Sequence, residues 1–183
     1  MRIISGRHRG RVIAAPPGRA VRPTSDRVRE SVFNILTHGL GRDALAIEGA
    51  RVLDAFAGTG AMGLEALSRG AGHATFMDTD IAPCRANVEA LGEAGQSEII
   101  RADALHPPRA VAPAALVFID PPYGEGLAEA ALTALDEAGW IAPGAICIVE
   151  ARATEEITPT PEFTILDDRR YGAARIRFLR RDG

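Results

Sequence analysis

Asp120-Pro121-Pro122-Tyr123 is the segment of this chain whose residue types most clearly prescribe a chemistry. It follows the apolar run Leu116-Val117-Phe118-Ile119, which stands the carboxylate at the end of a strand. An acid followed by two prolines and an aromatic ring arises by chance in roughly a few chains per thousand of this length, so the motif carries weight. An exocyclic amine on a nucleobase is a poor nucleophile, because its lone pair is delocalised into the ring. An ionised carboxylate only accepts hydrogen bonds, so Asp120 can take one N–H while a main-chain carbonyl, that of Pro121, takes the other. Two acceptors at tetrahedral angles favour a pyramidal nitrogen whose lone pair faces an electrophilic methyl, and they stabilise the positive charge that develops. Pro121 and Pro122 fix the backbone and bring no competing N–H. Tyr123 would stack on a base flipped out of its helix.

The second group is the loop Asp54-Ala55-Phe56-Ala57-Gly58-Thr59-Gly60-Ala61-Met62-Gly63. Gly58, Gly60 and Gly63 spell G-x-G-x-x-G, a pattern that roughly one chain in five this rich in glycine would contain by chance, so context decides its meaning. Asp54, just before the loop, would repel a pyrophosphate seated at the following helix N-terminus. S-adenosylmethionine carries an ammonium and a sulfonium and no phosphate, so the same acid attracts it. Asp78 is placed for the ribose hydroxyls and Asp103 for the adenine amine, with Phe56, Gly58, Gly60 and Ala104 completing the expected cofactor set. Asp80 is the expected N-cap of the helix that follows it. Cys84 and Cys147 are isolated and read as core thiols, and no metal site is expected.

From residue 50 onward, seven β-rich runs alternate with helical patterns, which predicts an α/β fold with a mostly parallel, Rossmann-like sheet. The runs are 51–56, 73–78, 98–101, 115–120, 145–150, 163–167 and 175–180, with helices over 61–69, 81–94 and 127–138. Gly70, Gly95 and Gly139 stand where helix-terminating glycines belong. The last two strands follow one another across Arg169-Arg170-Tyr171-Gly172, which predicts an antiparallel hairpin at one edge. Residues 1–40 read as a basic extension, a hairpin turned at Gly6–Gly10 and a helix from Asp26 to about His38, ahead of a main domain over 41–183.

The formal charge of −3 conceals a basic end. Residues 1–30 hold eight arginines against Asp26 and Glu30, a net +6, and the remainder is −9. Arg7, His8, Arg9 and Arg11 read as a phosphate-gripping hairpin, and Arg22, Thr24, Arg27 and Arg29 as a wall beside the active site, although Arg27 or Arg29 can instead pair with Glu30 or a domain acid. Arg169, Arg170, Arg175, Arg177, Arg180 and Arg181 form a second cluster that either extends this surface or solvates an edge hairpin. No apolar run approaches the ~20 residues of a membrane-spanning helix and the N-terminus lacks a signal-peptide core, so the expected setting is cytoplasmic, without a membrane or an obligate protein partner.

The sequence resembles the bacterial RsmD-type 16S rRNA (guanine-N2) methyltransferases. The resemblance covers nearly the whole chain and rests on Arg2-Ile3-Ile4-Ser5-Gly6, Arg22-Pro23-Thr24-Ser25-Asp26-Arg27-Val28-Arg29-Glu30, the Asp54–Gly60 loop, Gly63–Gly70 and Asp120-Pro121-Pro122-Tyr123. It implies a class I methyltransferase sheet and methylation of a guanine N2, position 966 in the usual naming, in a small ribosomal subunit or its assembly intermediate. It further implies cofactor roles for Asp54, Gly58, Gly60, Asp78 and Asp103, and amine-handling roles for Asp120, Pro121 and Tyr123. Relatives often carry Glu where Asp78 stands, and some carry Phe where Tyr123 stands. The competing readings are a DNA adenine-N6 or cytosine-N4 methyltransferase, a protein-glutamine methyltransferase, a dehydrogenase, and a non-catalytic RNA-binding assembly protein.

Overall fold

The computed structural model describes residues 1–15, 26–41, 45–122 and 126–183. Seven strands, β1 (Arg51–Ala55), β2 (His73–Asp78), β3 (Ser97–Arg101), β4 (Ala114–Ile119), β5 (Ile141–Arg152), β6 (Phe163–Tyr171) and β7 (Ala174–Arg181), form one sheet in the order β3-β2-β1-β4-β5-β7-β6. β1 to β5 run parallel, and β7 is antiparallel to both β5 and β6. The chain winds outward from β1 to β3, then returns to β4 and winds the other way. That reversal opens a crevice beyond the carboxyl ends of β1 and β4.

Among the described residues, four α-helices cover the two faces: α1 (Asp26–Asn34, continued by a π-helical turn Ile35–Gly39), α2 (Ala61–Ser68), α3 (Ala82–Leu91) and α4 (Leu127–Glu137). Alternate strand residues divide the core. Phe76, Leu116, Phe118, Ile146, Ile148 and Ile176 meet Val32, Phe33, Leu64 and Val88 of the first three helices. Met77, Val117, Ile119, Cys147 and Val149 meet Ala131, Leu132 and Leu135 of α4 on the other face.

Several boundaries differ from expectation. β5 begins at Ile141 rather than Ala145, because Ala114 pairs with Ile141 before a register shift. β6 continues to Tyr171 because β7 opposes its charged end residue for residue. α3 stops at Gly92, which is left-handed at φ 77°, whereas Gly95 lies in a following 3-10 turn. Asp80 stands one residue before the N-cap position Ile81, and its Oδ1 still accepts from Ala82 N, the first residue of α3, at 3.4 Å.

The N-terminal segment is a loop closed by an antiparallel bridge between Arg2 and Val12, with turns over the expected residues rather than two regular strands. Ile3 and Ile13 are buried in the first core together with α1, so this segment shares the core of the sheet. Gly6 passes so close to the end of α2 that a Cβ there would stand 1.7 Å from the Ser68 carbonyl oxygen, at a φ of +81° that favours glycine.

Candidate active site

β1 carries Asp54 to the carboxyl edge of the sheet, and the chain then turns through the glycine loop into α2. Asp54 is buried, and its Oδ2 accepts from the Gly63 backbone N–H at 2.9 Å, which ties the carboxylate to the first turn of α2. Burial, reinforced by the neighbouring Asp78, pushes its pKa up to about 7 against the pull of the Gly63 N–H. Asp78 ends β2 half-buried; its Oδ2 accepts from Gly58 N at 2.8 Å and its Oδ1 from Asp80 N at 2.9 Å. Two carboxylates therefore shape the loop through its own N–H groups. Phe56 is held at φ 64°, a left-handed conformation that is uncommon for a bulky residue and costs of order 1–3 kcal/mol.

The loop glycines have distinct duties. A Cβ on Gly63 would stand 2.4 Å from Phe76 Cε1, so its absence lets α2 pack on β2. A Cβ on Gly58 would meet nothing closer than the Phe56 carbonyl oxygen at 3.9 Å, and it would project into the open crevice. That open cradle, bordered by the carboxylates of Asp54 and Asp78, fits the cationic methionyl end of S-adenosylmethionine. Asp103 follows β3, with Oδ1 accepting from Leu105 N at 2.9 Å; this N–H and the nearby His106 hold its carboxyl below the usual range. Ala104 is buried in the second core beside it.

Asp120 follows the last residue of β4, which lies next to β1 with Ile119 opposite Ala55. It is exposed, Pro121 is buried, and Pro122 is exposed. Tyr123, Arg22 and Thr24 lie outside the described residues. Asp120 lines a narrow cleft together with Val32, Met62, Phe118, Ile148 and Glu150.

The basic residues divide by partner. Arg7 makes a bidentate pair with Glu93 (2.8 and 2.6 Å), and His8 pairs with the same carboxylate. Arg11 donates to the Ala90 carbonyl at 2.8 Å. These contacts fasten the N-terminal loop to α3 and the turn after it. Arg9 and Arg27 are exposed.

Arg29 follows the second of its two expected readings, pairing with a domain acid, and is not an RNA-facing wall residue. It is fully buried, donates to the Arg2 carbonyl and to Asp26 at 3.0 Å, and lies 3.7 Å from the equally buried Glu65. A side chain enclosed on all sides cannot meet a phosphate. Glu65 gathers the whole junction, accepting from Ile4 N at 2.8 Å, Ser5 N at 3.1 Å and Arg69 Nε at 2.7 Å.

Asn87 of α3, which carries no motif signal, joins the N-terminal segment to the glycine loop. Its Oδ1 accepts from Ala14 N at 2.9 Å, and its Nδ2 donates to the carbonyls of Ala14 and Thr59, each at 3.0 Å. The C-terminal arginines are largely committed to acids: Arg169 to Asp167, Arg175 and Arg177 to Asp168 and Glu156, Arg180 to Asp182, and Arg181 to Asp136.

A doubly wound sheet with an antiparallel β7, a glycine loop after β1 and a strand-end Asp-Pro-Pro together define a Rossmann-like class I methyltransferase. The solved structure of yhhF from Escherichia coli superposes with a TM-score of 0.84 at 35% identity, covering 100% of this chain and 98% of that one. Residues 1–180 match the family described as "Conserved hypothetical protein 95", and the chain belongs to that family, one of S-adenosylmethionine-dependent methyltransferases. The "Ribosomal RNA small subunit methyltransferase D" of Escherichia coli strain K12 is 38% identical over 164 residues, 88% of this chain and 79% of that protein. Its Haemophilus influenzae counterpart is 34% identical over 184 residues, covering 97% and 92% of the two chains.

Proposed function

We propose that this chain methylates the N2 amine of a guanine in 16S rRNA, at the guanine-966 type of position, within the small ribosomal subunit or its assembly intermediate in the cytoplasm. The observation that carries this reading is the adjacency of β1 and β4, which brings Asp120-Pro121-Pro122 to the same crevice edge as the glycine loop. The rRNA substrate draws support from relatives named for small-subunit RNA that align over most of their length. The exposed Arg9 and Arg27 of the N-terminal segments supply guanidinium groups for phosphate contacts.

When bound, S-adenosylmethionine supplies an electrophilic methyl group on a sulfonium. Asp54 and Asp78 hold the loop that receives its methionyl and ribose portions. Asp120 accepts one hydrogen of the amine and the Pro121 carbonyl the other, so the nitrogen lone pair is directed out of the base plane. As the nitrogen becomes cationic, the Asp120 carboxylate stabilises the charge and takes the proton the product must lose.

Asp120→Ala is expected to lower the rate of methyl transfer by about 10²–10³ or more, with cofactor affinity by calorimetry held within about twofold of the original. Turnover at the unaltered rate would remove Asp120 from the chemistry.

A further inference from the structure

β4 and β5 set a second carboxylate beside Asp120. Ile119 is opposite Val149 in these parallel strands, so the next residues, Asp120 and Glu150, stand one strand spacing apart, roughly 4.8 Å. Phe118 and Ile148 both face the first core, and side chains alternate along a strand, so Asp120 and Glu150 continue that same face. Both line the cleft whose other walls are the apolar Val32, Met62, Phe118, Ile119, Ile148 and Ile176. The cleft encloses about 20 Å³, room for little more than one water and far too little to admit a base.

We propose that Glu150 is a specificity-determining residue that accepts the N1–H of the target guanine, an inference that rests on the guanine-N2 reading above. Guanine presents N1–H and the N2 amine as neighbouring donors on its Watson–Crick edge. Adenine and cytosine instead place an unprotonated ring nitrogen, an acceptor, beside their amines. Paired carboxylates match the first pattern; against the second, Glu150 would face a lone pair with no hydrogen between them. A site that hydrogen-bonds one specific group rejects the analogue lacking it by large factors.

The test uses small subunits reconstituted with rRNA bearing either guanine or 2,6-diaminopurine at the target position. Diaminopurine keeps the N2 amine but has an acceptor at N1. The unaltered protein is expected to methylate guanine with kcat/KM at least about a hundredfold above diaminopurine. In Glu150→Gln the amide can turn its NH2 toward an N1 acceptor, so this ratio should fall to within about tenfold, while cofactor affinity stays unchanged. Guanine methylation with the ratio intact in Glu150→Gln would overturn the inference and leave the guanine-N2 reading standing. Equal use of both bases by the unaltered protein would overturn it without any variant. Failure of the unaltered protein to methylate either N2 amine would instead refute the function itself, and the inference with it.

Discussion

Asp54 is enclosed by the loop it supports, and its carboxyl is pushed up to about 7 by burial and by Asp78. A carboxyl that is harder to ionise folded than unfolded makes the native state the better proton binder between its ordinary value near 4 and about 7. Its contribution to stability is therefore full below the unfolded value, falls as pH rises through 7, and levels off above. A cationic cofactor acts in the opposite sense, because it favours the ionised carboxylate. Cofactor affinity, measured by calorimetry, is expected to strengthen from about pH 6 to 8 with release of a proton. Asp54→Asn should flatten both the affinity and the melting profiles across that range. An unchanged pH dependence in Asp54→Asn would show that another group governs cofactor binding. Asp120 differs in being exposed at the strand end.

At the level of elements, Glu65 is the joint between the N-terminal loop, α1 and α2. Glu65→Ala would strand the fully buried Arg29 guanidinium without its principal domain acid. The expected loss is about 3–5 kcal/mol, on the order of 10 °C in melting temperature; a variant melting within about two degrees of the original would contradict this account of the joint. The sequence leaves open that Arg29 pairs with a domain acid but does not single out Glu65, because both sit in helical patterns whose charged positions ordinarily face water. The strands were legible, because β-branched and apolar runs such as Leu116–Ile119 must be buried on both faces of a parallel sheet. The expected strand begins at Ala145, and only pairing of Ile141 with β4 draws Ala142-Pro143-Gly144 into β5. The glycine loop and the Asp-Pro-Pro step announced themselves through residue type and spacing. Glu150 did not, since its meaning comes from the register that sets it beside Asp120, and register is a property of the assembled sheet.

Across the whole molecule, charge is separated more sharply than the net −3 implies, with +6 in the first 30 residues and −9 in the rest. The arginines near the C-terminus neutralise acids on their own hairpin, so that edge offers RNA far less positive potential than its arginine count indicates. The N-terminal segment, by contrast, is fastened by Arg7, His8 and Arg11 while Arg9 faces outward, and Asn87 links it to the glycine loop. The turn that carries Arg9 lies against Ser68 and Glu93, at the C-terminal ends of α2 and α3 and away from the carboxyl ends of the strands where the crevice opens. The most direct measurement is to incubate the protein with isotope-labelled S-adenosylmethionine and small ribosomal subunits lacking the modification, then analyse the rRNA nucleosides by mass spectrometry. The account predicts one labelled N2-methylguanosine per subunit, lost with Asp120→Ala; label confined to adenine N6, cytosine N4 or protein would contradict it.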